Sequence, residues 1–245
     1  MKVSEYGPDD APVVLLLHGG GVAGWMWDSL QKVLEEKYKV IVPDLPGHGA
    51  SSKSPYLSHD QTVAELQKVL AERGSNAVAV IGFSLGAQLA IALAAAEPGL
   101  VGKVMLISAQ AKPMRFTKFT IGLLGLAAPL ARKPWFARLQ AKELFIPTEL
   151  LDTYILTSAA ISKETLLNAV TANMQFELPA RWTTFQGKAV VLVGEREKKI
   201  MHDSAALLHA RLPGSEIEIV EGCGHGIPFQ RAEWFNTRVA DWLNA

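Results

Sequence analysis

The chain has 245 residues, of which 49% are apolar and 20% charged. This composition excludes a disordered protein, because so apolar a chain can bury a large core. The 24 Lys and Arg residues balance the 24 Asp and Glu residues, so no general field attracts nucleic acid or an anionic membrane, and we expect a small-molecule partner and no nucleic acid.

The cysteine content and the apolar segments bear on the compartment. The lone Cys223 cannot form an intramolecular disulfide or a cysteine-based zinc site, and residues 1–5 lack the apolar stretch of a signal peptide. Residues 77–96 carry no charge over a length that could span a membrane. Glycines and polar residues near the middle of this run, and its β-branched first half, instead predict a strand, a turn and a helix. We therefore expect a cytoplasmic protein with no integral membrane segment.

Short apolar runs alternate with amphipathic stretches in the first half of the chain, a pattern that predicts a parallel sheet covered by helices. The predicted strands are 13–17, 38–42, 78–83 and 104–108, and the predicted helices are 27–36, 61–73 and 85–95. From about residue 110 to 186 the strand signals fade, and the segment reads as helices broken by prolines at 113, 129, 134, 147 and 179. Strands 189–193 and 217–220 and a helix 232–243 then restore the alternation. We predict an α/β fold with a mostly parallel, doubly wound sheet, in which residues 1–109 and 187–245 form the core and residues 110–186 form an inserted helical cap.

The segment 98–142 contains eight Lys or Arg residues and no Asp or Glu. It can be interpreted as a solvated basic face balanced by acids elsewhere, or as a surface that attracts an acidic substrate or a membrane. Within it, the nearly all-apolar run 119–130 predicts either a helix packed on the core or the wall of a pocket.

The segment 82–86, Gly-Phe-Ser-Leu-Gly, matches the pattern G-x-S-x-G at a predicted strand-to-helix junction. A serine on so sharp a turn needs small neighbours, because the strained backbone packs closely against adjoining elements. The helix that begins beside Ser84 directs its positive dipole end towards an oxyanion forming there. We predict that Ser84 is a nucleophile; the alternative is a serine that only caps the helix.

A glycine run, Gly19-Gly20-Gly21, follows His18 directly after the first strong strand. Glycines expose backbone amides, and acyl transfer needs preorganised donors where a carbonyl oxygen becomes negative. We nominate the N–H groups of Gly20 and Leu85 as this oxyanion hole and expect His18 to be structural. A phosphate-binding loop is the rival interpretation, but the Gly-Lys-Ser/Thr ending and a G-x-G-x-x-G pattern that opens a helix are both missing here.

His225 lies in the glycine-rich segment 222–226, which follows the last predicted strand and so places an imidazole at the carboxyl ends of the strands. The other histidines of the chain lie upstream of Ser84 or in a helix with surface-like neighbours. We select His225 as the general base; the alternative is a hydrogen-bonded structural histidine.

These features occur in this order with the segment 42–51, Val-Pro-Asp-Leu-Pro-Gly-His-Gly-Ala-Ser, between them. Together they resemble the α/β-hydrolase fold superfamily over nearly the whole chain. The resemblance implies that the insertion forms a lid over a site with a Ser-His-acid triad, and that no metal or cofactor is required. The first two strands look abbreviated, because only about ten residues precede residue 13.

The acid departs from the superfamily pattern. Members usually carry it after the strand that matches 189–193, commonly as Gly-x-x-Asp, whereas this chain reads Gly194-Glu195-Arg196-Glu197. The chain order Ser, Asp or Glu, His permits glutamate, so we choose Glu197. Glu195, Asp203 and the absence of a functional acid remain alternatives. The other acid position known in this fold follows the strand that ends at residue 108, where no acidic residue occurs.

The sequence thus predicts a serine hydrolase that cleaves carboxylic ester-like bonds of a small, partly apolar substrate through an acyl-enzyme. Hydrolysis of a thioester, lactone, amide or carbon–carbon bond on the same triad stays open. So do a lyase of the hydroxynitrile-lyase type, in which Ser84 and His225 act as acid and base, and a ligand-binding sensor that signals through its lid. A haloalkane dehalogenase or an epoxide hydrolase is disfavoured, because those relatives carry an aspartate where Ser84 stands.

Overall fold

The computed structural model describes residues 1–114, 117–128, 130 and 133–245, without the side chains at positions 118 and 127. Pro129, one of the prolines predicted to break helices, lies outside the described residues. Strands and helices alternate along the described chain around one central sheet.

The sheet has seven strands in the spatial order β1-β3-β2-β4-β5-β6-β7. The strands are β1 (Lys2–Tyr6), β2 (Val13–Leu17), β3 (Lys39–Asp44), β4 (Val78–Phe83), β5 (Val101–Ile107), β6 (Lys188–Gly194) and β7 (Glu216–Val220). Only β1 is antiparallel to its neighbour, with Lys2 opposite Asp44, and every other pair of neighbours is parallel. This order confirms the predicted mostly parallel, doubly wound α/β fold.

Helices connect the parallel strands. They are α1 (Asp28–Leu34), α2 (His59–Ala71), α3 (Leu85–Ala96), α4 (Thr117–Ala127), α5 (Pro134–Glu143), α6 (Leu151–Ala160), α7 (Lys163–Gln175), α8 (Lys199–Arg211), α9 (Ile227–Gln230) and α10 (Ala232–Asn244). Four of them, α4 to α7, lie between β5 and β6, where the sequence predicts a helical insertion. The division of the chain into core and cap at residues 110 and 186 stays a prediction.

Both faces of the central strands are buried, which is why β2, β4 and β6 read as continuous apolar runs. Alternate residues face opposite sides: Leu15 and Leu17 belong to an apolar cluster that includes residues of α2, α3 and α8, whereas Val14 and Leu16 belong to one that includes residues of α1 and α10. All six residues of β4 are buried between these two layers. The uncharged run 77–96 is accordingly a central strand followed by a core helix.

Some element boundaries differ from the predictions. The helix predicted at 27–36 is shorter, because a 3-10 turn (Gly24–Trp27) precedes α1, and β5 begins three residues before the predicted residue 104. One short strand, β1, precedes β2. Its residues are largely exposed because it lies at the edge of the sheet, so the sequence carries no buried apolar run to mark it.

Candidate active site

Ser84 occupies the sharp turn between β4 and α3. Its φ of 52° and ψ of −110° lie outside the regions that residues with a side chain normally adopt. A Cβ at Gly82 would collide with the carbonyl oxygen of Gly86, and a Cβ at Gly86 would collide with that of Leu17. The two glycines therefore permit the close packing that holds Ser84 in its strained conformation.

Ser84, His225 and Glu197 form a continuous hydrogen-bonded chain. His225 Nδ1 lies 2.8 Å from Glu197 Oε2, and His225 Nε2 lies 3.0 Å from Ser84 Oγ. Because a carboxylate only accepts, Nδ1 carries the hydrogen, and Nε2 of the neutral ring accepts from the Ser84 hydroxyl. The three residues follow β4, β7 and β6. The structure thus brings together the three side chains that the sequence analysis singled out.

The Glu197 carboxylate is held from three directions. Its side chain is only 2% exposed. Besides the bond from His225, Oε1 accepts hydrogen bonds from Gly194 N–H at 2.9 Å and from Ser108 Oγ at 2.7 Å. Burial alone would raise the pKa of Glu197, but these hydrogen bonds and the nearby His225 outweigh burial and hold the pKa below its ordinary value of 4.5. The carboxylate is therefore ionised at neutral pH.

The two alternative acids have other partners. Glu195 is exposed, and its Oε2 accepts a hydrogen bond from Gly222 N–H at 2.8 Å. Asp203 forms an exposed ion pair with Lys199 at 2.7 Å. Of the three carboxylates that the sequence left open, Glu197 is the one in contact with His225.

Ser108 is a contact that the sequence analysis missed. It follows β5 with a φ of 54° and is almost fully buried. Its hydroxyl lies 2.7 Å from Glu197 Oε1 and 3.1 Å from the carbonyl oxygen of His225, so this single hydroxyl group contacts both Glu197 and His225. The one sequence signal was its place at the carboxyl end of a predicted strand, in a sheet whose neighbouring strands carry the other residues.

Gly20 and Leu85, the predicted amide donors, both line the cavity beside Ser84. A Cβ at Gly20 would lie 3.9 Å from Leu85 Cδ2, which shows how closely the two residues approach each other. Leu85 is the first residue of α3, so its N–H has no carbonyl one helical turn earlier to bind.

His18 fixes the loop that contains Gly20. Its Nδ1 lies 2.7 Å from the carbonyl oxygen of Gly19, and its Nε2 accepts a hydrogen bond from Leu45 N–H at 2.9 Å. Burial, with the nearby His48 ring, lowers the pKa of His18 to about 3, so the ring is neutral. These contacts agree with the structural role expected from the sequence.

A cavity of about 900 Å³ adjoins Ser84 and His225. Its far wall comes from α4 to α7, and the surface of the cavity is mostly apolar, with side chains such as Leu124, Phe136 and Leu166. Polar groups include Lys133, Lys163, Glu143, Asn173 and Tyr154. Burial raises the pKa of Tyr154 to about 12, so its hydroxyl is neutral. The volume suits a small organic ligand.

Among the described residues, no group of three or more His, Cys, Asp or Glu side chains is arranged to hold a metal ion. No helix in the same residues combines the length and the apolar character needed to cross a bilayer. Cys223 is buried, and burial raises the pKa of its thiol.

Known proteins resemble the chain in sequence and in fold. The model of the alpha/beta hydrolase family matches residues 14–238. A 2-hydroxy-6-oxononadienedioate/2-hydroxy-6-oxononatrienedioate hydrolase of Pseudomonas putida is 28% identical over 255 residues, which cover 96% of this chain and 88% of that protein. The enol-lactonase from Burkholderia xenovorans LB400 has a TM-score of 0.86 at 19% identity and covers 100% of this chain and 96% of its own. An esterase from Exiguobacterium antarcticum has a TM-score of 0.85 at 20% identity, with 99% and 95% covered. Both solved structures share the fold of this chain.

Proposed function

The chain belongs to the alpha/beta hydrolase family, and on this premise we propose that it is a serine hydrolase that cleaves carboxylic ester-like bonds of a small, partly apolar substrate. The observation that carries the proposal is the hydrogen-bonded chain from Ser84 Oγ through His225 to Glu197 Oε2. In this proposal Ser84 is the nucleophile, His225 is the general base and acid, and Glu197 orients the ring.

During a turnover His225 accepts a proton twice and donates a proton twice. As Ser84 Oγ bonds to the carbonyl carbon, its proton passes to His225 Nε2, which lies 3.0 Å away. The imidazolium then gives this proton to the departing alcohol, and the acyl group remains as an ester on Ser84. A water molecule attacks that ester while His225 takes its proton, and the return of this proton to Ser84 Oγ releases the carboxylic acid.

Glu197 lowers the free energy of the imidazolium form of His225. Its ionised carboxylate stabilises the positive ring, and its bond to Nδ1 keeps Nε2 free to accept the serine proton. Because Gly194 and Ser108 hold the other carboxylate oxygen, Glu197 is already oriented before the substrate binds.

In this proposal, backbone N–H groups stabilise the negative charge that develops on the substrate oxygen. We assign the N–H groups of Gly20 and Leu85 as its two donors, since both residues line the cavity beside Ser84. The N-terminus of α3, which begins at Leu85, adds a positive dipole end at the same place. These donors are part of the folded backbone and need little reorganisation during the reaction.

Residues 110–186 act as a cap in this proposal. Helices α4 to α7 supply the apolar far wall of the cavity, which favours a substrate with an apolar acyl or aromatic part. Closing this side also removes bulk water from Ser84, which strengthens the electrostatic contacts in the site.

Two cations in the cavity favour a second substrate class, namely substrates that carry a carboxylate. Lys133 and Lys163 line the cavity and could pair with a carboxylate on the substrate. The Pseudomonas putida relative is named as the hydrolase of a dioate. Hydrolysis of a carboxylate-bearing substrate by the same Ser84 is therefore the second candidate.

The test is covalent labelling of Ser84. Wild type, Ser84→Ala and a matched surface variant, Ser54→Ala, are incubated with a fluorophosphonate, and their intact masses are measured. We expect one adduct on wild type and on Ser54→Ala and none on Ser84→Ala, because a serine activated by a base attacks phosphorus readily. An adduct of equal yield on Ser84→Ala would contradict the proposal.

Hydrolysis of a series of nitrophenyl esters identifies the substrate class. Turnover that rises with acyl length supports the apolar pocket, and turnover that rises when the acyl chain ends in a carboxylate supports the second candidate. If Ser84 is not labelled and no ester is hydrolysed, the result would instead favour the lyase or the sensor.

A further inference from the structure

Helix α4 is apolar on two opposite sides. On one side Leu124 lines the cavity, and Gly125 approaches Leu167 of α7. On the other side Phe119, Leu123 and Leu126, which helical spacing places together, are between 53% and 80% exposed. Contiguous exposed apolar side chains usually mark a binding surface, so the outer face of α4 has the character of a surface that a lipid or a protein covers.

Helix α5 has an outer face of related composition. Trp135 and Leu139 lie one turn apart and are each more than half exposed. Arg138 and Lys142, also exposed, lie on the same face by their spacing of three and four residues. The opposite face of the helix buries Ala137 and Ala141.

Charge distinguishes these outer faces from ordinary surface. Residues 98–142, which include both helices up to Lys142, contain eight Lys or Arg residues and no Asp or Glu. The rest of the chain must then carry all 24 acids and only 16 of the 24 Lys and Arg residues. Helix α5 itself ends at an acid, Glu143, directly after this segment. Exposed apolar side chains that include a tryptophan and lie beside cations are typical of helices that lie in the headgroup region of an anionic bilayer.

We propose that the outer faces of α4 and α5 form a docking surface for an anionic phospholipid bilayer. This docking surface consists of apolar side chains with two cations beside them: Phe119, Leu123, Leu126, Trp135, Leu139, Arg138 and Lys142. The protein lies on the bilayer by these side chains. A second copy of the chain is a poorer occupant, because a two-fold dimer would bring Arg138 and Lys142 of one copy against the same cations of the other.

The position of the docking surface relates it to the cavity. Leu124 of α4 and Phe136 and Gln140 of α5 line that cavity, so the same two helices face lipid on one side and the site on the other. An apolar substrate dissolved in the bilayer then has a short path to Ser84. This consequence rests on the proposed function, whereas the docking surface itself does not.

The experiment measures binding to vesicles and needs no activity. Wild type is sedimented with vesicles of phosphatidylcholine and with vesicles of phosphatidylcholine mixed with phosphatidylglycerol. We expect binding to the mixed vesicles that weakens at high salt, because screening reduces attraction between the cations and the anionic surface.

Two variants test the apolar and the cationic parts separately. Phe119→Ser/Leu126→Ser should lower the partition coefficient on mixed vesicles at least tenfold. Its control, Ile217→Ser/Ile219→Ser, removes two exposed apolar side chains from β7 and should bind like wild type. Arg138→Gln/Lys142→Gln should lower the coefficient about thirtyfold, at about fivefold per cation. Its control removes two exposed cations elsewhere, in Arg181→Gln/Arg211→Gln, and should bind like wild type.

Melting temperatures equal to that of wild type establish that each variant is folded, and either variant alone suffices for the test. Wild type that ignores mixed vesicles, variants that bind like wild type, or controls that lose as much binding would each overturn the proposal. So would a wild-type dimer, seen by sedimentation equilibrium, that Phe119→Ser/Leu126→Ser converts to a monomer, because the face would then cover a second copy.

Discussion

Replacement of Glu197 by glutamine isolates the part that the carboxylate charge plays in the site. The new side chain has the same shape, and its amide oxygen can still accept the hydrogen bonds that Gly194 N–H and Ser108 Oγ now donate to Oε1. The amide NH₂ then faces His225 Nδ1, which has to become an acceptor. The ring hydrogen moves to Nε2, and the ring can no longer accept the proton of Ser84.

The expected loss is large because two effects combine. The wrong tautomer removes the general base, and the missing charge removes stabilisation of the imidazolium. In serine enzymes the corresponding change lowers kcat by about 10⁴, which corresponds to about 5.4 kcal/mol of activation free energy. We expect a fall of this order in Glu197→Gln, measured by steady-state ester hydrolysis, with the melting temperature close to that of wild type.

Glu195→Gln is the matched control, since it neutralises an exposed carboxylate two residues away that contacts Gly222 N–H. We expect its kcat to lie within a factor of about two of wild type, as for surface changes without catalytic contacts. The reasoning is refuted if folded Glu197→Gln keeps a kcat within about tenfold of wild type. A large loss in Glu195→Gln or in Asp203→Asn would move the role to that residue.

Three further changes probe the surroundings of the site. Ser108→Ala removes a donor to Glu197 Oε1, and we expect steady-state kinetics to show a kcat about tenfold lower with KM unchanged; an unchanged kcat would mean that Ser108 does not position the carboxylate. Gly86→Ala would press a Cβ against the carbonyl oxygen of Leu17, so urea titration should show a loss of about 1–3 kcal/mol in the free energy of unfolding, whereas equal stability would show that the backbone relaxes there. The pKa of buried His18 is lowered from 6.5 to about 3, so below pH 6.5 the unfolded chain binds a proton that the folded chain refuses. Stability should therefore fall as the pH drops from 6.5 towards 3, and the fall should be smaller in His18→Asn; parallel pH profiles of the two proteins would contradict this.

Local sequence patterns predicted those parts of the fold whose structure depends on neighbouring residues in the sequence. The glycines at 82 and 86 are needed by one tight turn, and the structure places Ser84 on that turn. Apolar runs such as 13–17, 78–83 and 189–193 predicted the central parallel strands, because burial on both faces leaves no polar alternation. The exposed edge strand β1 lacks such a run, and its antiparallel pairing with β3 depends on contacts with a distant segment.

The site was predictable only in part, because some of its contacts join residues that are far apart in the sequence. The three-residue offset from Gly194, which matches the superfamily pattern, favoured Glu197 as the acid after β6. The sequence nevertheless left Glu195 as an alternative, because both residues follow the same strand. Their hydrogen-bond partners in the fold separate the two. Ser108 is 89 positions from Glu197, and no spacing pattern connects a serine after one strand with a carboxylate after the next. Which side chains of α4 to α7 face the cavity depends likewise on helix packing that the sequence does not encode locally.

Because β4 and β7 are far apart in the sheet, the loop that carries His225 has to span the distance between them. These strands are three neighbours apart, about 14 Å at the usual spacing, yet His225 Nε2 lies 3.0 Å from Ser84 Oγ. The segment after β7 therefore reaches back across the ends of β6 and β5, and Glu197 and Ser108 support it from those two strands. In the proposed reaction, this anchoring means that the imidazole loses its rotational freedom when the protein folds and not when the transition state forms, which raises the effective concentration of base at Ser84.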